Sequence, residues 1–160
     1  QSALFEIRSI ADEINARQHQ HRCEVLTLER TRANAQQALV LNVKEGTSIF
    51  HSVMVHYEND LPVQIEDRCV NAEIVPEYLA QDYSQTTPHA YLSLIAPLTE
   101  GEHIVEAVRA SAEECALLNI KEHDPCLLIR RKTWSASSIV SHARLLFPGS
   151  RYRLQGRFMS

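Results

Sequence analysis

The chain has 160 residues, of which 44% are hydrophobic and 22% charged, and its formal net charge is −4. These values predict one globular domain with a single core and exclude a disordered or low-complexity chain. The acidic balance offers no basic surface for nucleic-acid phosphates, so we expect this piece to bind DNA poorly by itself. The sequence has no run of 18 or more apolar residues and no secretory leader pattern, which predicts a cytoplasmic location and no membrane partner.

The first half of the chain predicts a helix, a strand, a second helix and a hairpin. Apolar residues recur at helical spacing over 4–17, which predicts a lead-in helix. Alternation over 22–32 predicts a strand, and a short capped helix follows over 34–40. The β-branched and aromatic runs 47–58 and 63–70 flank a polar, proline-containing break, which indicates an antiparallel hairpin.

The second half predicts more strands separated by short helices. Short helices are expected over 76–79 and 88–94, and Ser111 begins a capping-box helix. Strands are expected over 102–109, 126–135, 139–147 and 152–158. About six strands around a few short helices predict an α+β fold with a largely antiparallel, curved sheet.

Motifs for metal, cofactor and covalent chemistry are weak in this sequence. His19, His21 and Cys23 alternate and would share one strand face, but no fourth ligand accompanies them, so we predict no metal site. The four cysteines are widely spaced and suit reduced thiols. The few glycines form no phosphate loop, and no nucleophile motif occurs, so neither a cofactor nor catalytic residues are predicted.

The predicted hairpin carries the most informative polar residues, His56, Gln64, Glu66 and Arg68. The last three fall on one strand face because side chains alternate along a strand. From the residues alone, a solvated face with a surface ion pair between Glu66 and Arg68 is the favoured interpretation. A wall of a binding site is the alternative.

Six segments carry a resemblance to a known family. They are LFEIRSIADEI (4–14), IFHSVMVHYENDLPVQIEDRCVNAEIVPEYLAQDY (49–83), TPHAYL (87–92), APLTEGEHIVEA (96–107), DPCLLIRRKTWS (124–135) and ARLLFPGSRYRLQGRF (143–158). The chain resembles the effector-binding (UTRA) domains of GntR-superfamily regulators, and among them the members that repress histidine utilisation.

The resemblance implies a fold similar to that of chorismate lyase and a regulatory rather than an enzymatic role. It implies a lead-in helix over 1–17 that follows a missing N-terminal winged helix-turn-helix domain, and an effector-binding domain over 18–160. Such a domain would form a homodimer and would reach operator DNA only through the missing domain.

The resemblance also implies a ligand and its site. The arginines that hold a ligand phosphate in sugar-phosphate-sensing relatives fall on Met54 and His56 here, which argues against phosphate. The repressors of histidine utilisation imply urocanate as the inducer, a small flat molecule with a carboxylate and an imidazole. The expected ligand-binding residues are His56, Glu66, Arg68, His89, Tyr91, Ser141 and Arg144.

Chemistry assigns roles within this set. The carboxylate needs cationic or donor groups, for which Arg68, His56, His89 and Arg144 are the candidates. Glu66 would accept from the imidazole, and we expect a Glu66→Gln variant to lose the ligand response while melting normally without ligand. Tyr91 would cover the ring or donate its hydroxyl; Ser141, like Phe147, is implied only by the family match.

Two other functions remain open at this point. One is a small lyase or hydrolase in which His56 or His89 transfers a proton while Arg68 orients a carboxylate. The other is a ligand-free dimerisation module whose polar hairpin face is ordinary surface.

Overall fold

The computed structural model describes the backbone of residues 2–3 and all of residues 6–160. Within this part of the chain, six strands form one antiparallel sheet in the order β2–β3–β4–β7–β6–β5. They are β2 (His21–Arg32), β3 (Ser48–Glu58), β4 (Leu61–Val70), β5 (Glu100–Arg109), β6 (Pro125–Ser135) and β7 (Ser138–Pro148). The predicted α+β fold with about six antiparallel strands is confirmed.

Short helices cover both faces of the sheet. They are α1 (Ile10–Ala16), α2 (Ala35–Leu41), α3 (Pro88–Ile95) and α4 (Ala112–Leu118), with a 3₁₀ turn at Tyr78–Ala80. Helices α2 and α4 pack on one face, and α1, α3 and the 3₁₀ turn lie on the other. No helix of the described residues is long and apolar enough to cross a membrane.

The hairpin of β3 and β4 is built as the sequence predicts. Asn59 and Asp60 both have positive φ, 48° and 64°, as a two-residue turn that matches the strand twist requires. Pro62 is tolerated within β4 because it pairs with Tyr57 where the register shifts, so a regular ladder is already interrupted there.

The lead-in helix is shorter than predicted. Helix α1 begins after Ser9, which is extended, and the preceding residues 6–8 are not helical. Ile7 lies against Gly101 at the beginning of β5, where an added Cβ would come within 2.5 Å of the Ile7 side chain. Ile7 therefore contacts the sheet instead of extending the helix. Leu4, which belongs to the predicted helical pattern, lies outside the described residues.

The strand predicted over 152–158 is also shorter in the structure. Only β8 (Leu154–Gln155) is a strand, and it pairs in parallel with β1 (Ser2–Ala3). The segment before it is held by Arg151, which donates to the carbonyl oxygens of Pro62 at 2.8 Å and Leu118 at 2.5 Å. Hydrogen bonds from the Arg151 side chain to backbone carbonyl oxygens thus hold this segment where the sequence predicted strand pairing.

Candidate functional site

A cleft opens on the face of the sheet that carries α1 and α3. Its floor is formed by β4, β6 and β7, and its mouth is open to solvent. The lining residues are Arg8, Ile10, Glu13, Gln64, Glu66, Arg68, Thr87, His89, Arg131, Leu145, Phe147 and Tyr152. The cleft therefore joins an apolar wall to a polar floor, as small-molecule sites commonly do.

Buried hydrogen bonds connect the polar residues of the floor. Glu66 accepts from His56 Nε2 at 2.9 Å through Oε1 and from Arg68 Nε at 2.8 Å through Oε2. Arg68 Nη1 donates to Ser141 Oγ at 2.9 Å, and Ser141 Oγ lies 3.1 Å from Thr133 Oγ1. The hairpin face is thus deeply buried, and the favoured sequence interpretation of a solvated face with a surface ion pair is wrong.

The ionisation of Glu66 follows from these neighbours. Burial alone would raise the pKa of this carboxyl, but the Arg68 charge and the hydrogen bond from His56 outweigh it and hold the pKa below its usual range. Glu66 is therefore an anion that balances Arg68 inside the protein.

His56 continues the hydrogen-bond chain away from the cleft. Its Nδ1 lies 2.8 Å from His21 Nε2, and the two rings stack with centroids 5.1 Å apart. His21 is half-buried and lines a second cavity beneath α1, together with Ser9, Asp12 and other residues. A continuous chain of side-chain contacts thus runs from Glu66 at the cleft to a second opening.

Arg131 is a cationic residue of the cleft that the sequence did not single out. It is 7% exposed, and its Nε donates to His103 Nε2 at 2.9 Å. Burial first, and then the charge of Arg68, lower its pKa to about 10, which still leaves it charged near neutral pH. The charges of Glu13 and Glu66 act on this guanidinium in the opposite direction and favour its charged form.

His89 lies at the rim of the same cleft, at the beginning of α3. Thr87 caps this helix by accepting from the Ala90 amide at 3.2 Å, which holds the first turn in place. Burial first, then the charges of Arg68 and Arg131, lower the pKa of His89 to about 4. His89 is therefore neutral near pH 7.

The structure brings five of the seven expected site residues together. His89, Glu66 and Arg68 line the cleft, while His56 and Ser141 are fully buried and contact it through Glu66 and Arg68.

The structure does not bring the other two to the cleft. Tyr91 points into the neighbouring core with Tyr78 and Tyr83. Arg144 lies on the opposite face of β7, where its Nη1 donates to Glu114 Oε2 at 2.6 Å. Side-chain alternation along β7 explains that placement, because Ser141 and Arg144 are an odd number of residues apart.

The alternating triplet near the start of β2 does not converge on one point. His19 contacts Glu58, and His21 contacts His56. No group of three metal-ligating side chains occurs among the described residues.

The sequence analysis did not single out the cleft residues Arg131 and Tyr152, and only Arg131 has a sequence pattern that identifies it. Arg131 shares a face with Ile129 and Thr133, and it alternates with the outward Arg130 and Lys132. Period-two analysis of β6 was therefore sufficient to separate Arg131 from its neighbours. Tyr152 has no comparable signal because it lies outside regular structure.

A comparison with models of protein families identifies the family of this chain. The model of the UTRA domain matches residues 16–153, which includes every strand of the main sheet. The chain belongs to the UTRA domain family.

Two curated relatives share the whole of this UTRA domain. The histidine utilization repressor of Klebsiella aerogenes is 79% identical over 160 residues, and that of Pseudomonas aeruginosa is 61% identical over 160 residues. The chain spans 66% and 64% of the length of these relatives.

Solved structures agree with this assignment. The C-terminal domain of the histidine utilization repressor from Pseudomonas syringae pv. tomato aligns with a TM-score of 0.84 and 57% identity, over 88% of this UTRA domain and 100% of that chain. PhnF from Mycobacterium smegmatis aligns with a TM-score of 0.90 over 99% of this chain and 71% of that chain. At 17% identity, PhnF shows the fold alone, which is the chorismate lyase-like fold of UTRA domains.

Proposed function

We propose that this UTRA domain is the effector-sensing part of a bacterial repressor of histidine utilisation, and that its cleft binds urocanate as the inducer. The two repressors that are 79% and 61% identical to it support the regulatory role. The ligand is argued from the cleft, whose polar floor and apolar wall suit a small, flat organic anion.

The observation that carries the proposal is the charge balance of the cleft floor. Arg68 is already neutralised by Glu66, with which it shares a hydrogen bond of 2.8 Å. Arg131 faces the same cleft, and its Nε donates to an imidazole, that of His103. A buried guanidinium favours an anionic partner, and a carboxylate can accept two of its hydrogen bonds. Arg131 is therefore the proposed carboxylate-binding residue, in preference to the Arg144 expected from the sequence.

The apolar wall suits the flat part of such a ligand. The rings of Phe147 and Tyr152 stack with centroids 3.5 Å apart and an interplanar angle of 15°. Together with Leu145 and Ile10, they line the cleft opposite the charged end. Burying a planar ring against these side chains adds a hydrophobic contribution to the electrostatic one.

The lead-in segment offers a route from ligand to DNA. Arg8, Ile10 and Glu13 line the cleft, and Ser9 Oγ lies 3.2 Å from Thr87 Oγ1 at the beginning of α3. The relatives are longer than this chain, and we propose that a DNA-binding domain precedes α1 in the whole protein. A ligand that prefers one position of α1 would shift the population of the attached domain and release DNA.

Two further parts of the proposal concern assembly and location. Repressors that read two operator half-sites act as dimers, so we propose that the whole protein is a homodimer. Strands β2 and β5 are the outer strands of the sheet, and among the described residues each pairs with a neighbouring strand on one side alone. Action on operator DNA implies the cytoplasm.

The lyase alternative receives less support from the geometry. His56, one of its two proton-transfer candidates, is 0% exposed and engaged with Glu66 and His21, so it does not line the cleft. His89 does reach the cleft, and incubation with urocanate followed by chromatography tests whether the ligand is consumed.

Thermal unfolding tests the proposed ligand. Urocanate at 100 times its Kd is expected to stabilise the folded domain by about 2.7 kcal/mol and to raise its Tm accordingly. An Arg131→Met variant is expected to lose most of this shift, because the carboxylate loses its cation. Arg130→Met is the matched control, since Arg130 points to the other face of β6 and pairs with Glu106.

Two results would contradict the proposal. One is the absence of any shift with millimolar urocanate while histidine and imidazole-propionate are also without effect. The other is an equal loss of response in the variants of Arg131 and Arg130.

A further inference from the structure

Gln64 has an unusual position in the cleft. It is 4% exposed, lies on the same face of β4 as Glu66 and Arg68, and lines the cleft beside them. Its side-chain oxygen Oε1 is buried and has no hydrogen-bond partner, and among the described residues no other buried side-chain nitrogen or oxygen is in this position. Most buried polar atoms in folded proteins have a partner, so this acceptor points to a function.

The neighbouring polar groups are engaged within the protein. Both oxygens of Glu66 accept hydrogen bonds, from His56 and from Arg68. Ser141 accepts from Arg68 and contacts Thr133. The sequence analysis expected Glu66 to accept from the ligand ring, but its oxygens already accept from His56 and Arg68. The acceptor without a partner is Oε1 of Gln64.

The sheet register separates Gln64 from the cationic end of the cleft. Arg68 and Arg131 both pair with Ala143, so the two arginines lie in one row across β4, β7 and β6. Gln64 lies four residues before Arg68 on β4, which is about 13 Å along the strand. The side chains of Leu145 and Phe147 cover the floor between these ends.

This arrangement orients a ligand. A carboxylate held by Arg131 leaves the rest of a small planar molecule directed along the floor, toward Phe147 and Gln64. Arginine and glutamine side chains each extend several ångströms from the backbone, so a compact molecule with groups at both ends can contact both residues. The group that meets Gln64 Oε1 must donate a hydrogen bond.

We infer that Gln64 is a specificity-determining residue, whose carboxamide oxygen accepts a hydrogen bond from a ring N–H of the ligand. The inference rests on the proposed function and deepens it: the site takes small planar anions that carry a ring N–H and rejects anions of the same shape that carry none. A site built around a buried acceptor disfavours a ligand without a donor, because the acceptor then stays unpaired.

The test compares ligands that differ in this donor. Calorimetric titration of the protein with urocanate is followed by titration with 3-(pyrrol-2-yl)- and 3-(pyrrol-3-yl)acrylate, which keep a ring N–H. The matching furan-2-yl and furan-3-yl acrylates replace that N–H with oxygen. The wild-type protein is expected to bind at least one pyrrole compound at least about 10-fold more tightly than the furan compound with the same attachment point, because the furan loses one hydrogen bond. Urocanate is expected to bind more tightly than the furan compounds by the same factor.

A Gln64→Leu variant then connects the preference to the residue. It is expected to bind pyrrole and furan acrylates with equal affinity, because the acceptor is gone. Without ligand it is expected to melt at or above the wild-type temperature, since an unpaired buried acceptor is replaced by an apolar side chain of similar size. A merely structural role for Gln64 would instead lower the melting temperature and leave the ligand preference intact.

The outcomes separate the two proposals. If urocanate binds but the furan compounds bind as tightly as the pyrrole compounds, the inference about Gln64 is overturned and the proposed function stands. Retention of the donor preference by Gln64→Leu also overturns the inference alone. If urocanate and all four analogues fail to bind, both are overturned.

Discussion

Glu66 holds the charge balance of the buried cluster. It accepts from both His56 and Arg68, and all three residues are at most 3% exposed. The expectation that a Glu66→Gln variant melts normally therefore no longer holds. Removing one partner of a buried ion pair leaves the other charge uncompensated, which is among the more costly changes in a protein interior.

A Glu66→Gln variant is expected to lower the free energy of unfolding by about 3–5 kcal/mol, because the buried Arg68 charge loses its counter-ion. Urea unfolding followed by circular dichroism measures the change. Glu114→Gln is the control: Glu114 pairs with Arg144 near the surface and glutamine keeps the capping box of α4, so its cost is expected to stay below about 1 kcal/mol. Equal losses in the two variants would contradict the buried-pair argument.

At the residue scale, the sequence predicted the site only as far as periodicity reaches. Alternation placed Gln64, Glu66 and Arg68 on one face, and the structure agrees. Whether that face is buried depends on what packs over it from distant parts of the chain. Alternation within one strand also cannot pair Arg131 with Arg68, since β6 and β4 are brought together only through β7.

Among the elements, α1 and α2 form a natural comparison. Both have seven residues, but α1 lies over the cleft while α2 packs on the opposite face against Ile49 and Cys69. The first turn of α1 is bound to α3 through the contact of Ser9 with Thr87. Ligand binding should therefore affect α1 and α3 before it affects α2.

Hydrogen–deuterium exchange tests this difference between helices. Saturating urocanate is expected to slow amide exchange in α1 at least several-fold, because Ile10 and Glu13 of α1 line the proposed binding cleft and a bound ligand disfavours local opening. Exchange in α2 is expected to stay unchanged. Equal protection of both helices would indicate a general stabilisation, and no protection of α1 would remove the proposed route to the DNA-binding domain.

Elements in the middle of the chain followed the sequence closely, and those at its ends did not. The runs that became β3, β4, β6 and β7 are long, alternating and bounded by turn residues, so local information was sufficient. The lead-in helix and the last strand depend instead on long-range contacts, namely Ile7 with Gly101 and Arg151 with Pro62. Such contacts leave no periodic signal in the sequence.

For the molecule as a whole, several histidines determine how stability changes with pH. Burial is the first cause that lowers the pKa to about 4 for His21, His89 and His142. His51 differs, because its hydrogen bond with Asp67 raises its pKa above 6.5. Three sites thus bind protons more readily in the unfolded chain, and one binds them more readily in the native protein.

The free energy of unfolding is therefore expected to rise with pH from about 4 to about 6.5, where the unfolded chain binds more protons at the three histidines. The contribution of His51 is complete below 6.5 and is lost as the pH rises through its raised pKa, so the rise should give way to a shallow decline. Urea midpoints measured across this window test the profile. His142→Gln is expected to flatten the rise without changing urocanate binding. Residues 142 and 144 are two apart on β7, so His142 shares the face of Arg144, which is opposite to the cleft. A flat profile in the wild-type protein would contradict the assignment.

The chain of contacts from Glu66 through His56 to His21 has a consequence for where hydrogens reside. Because Glu66 is an anion, the hydrogen between it and His56 belongs to Nε2 of His56. The other nitrogen of that ring, Nδ1, shares a hydrogen bond with Nε2 of His21, which lines the second cavity. One carboxylate thus fixes which nitrogen of His56 faces it as the donor, and two imidazoles connect the floor of the cleft to a separate opening of the protein.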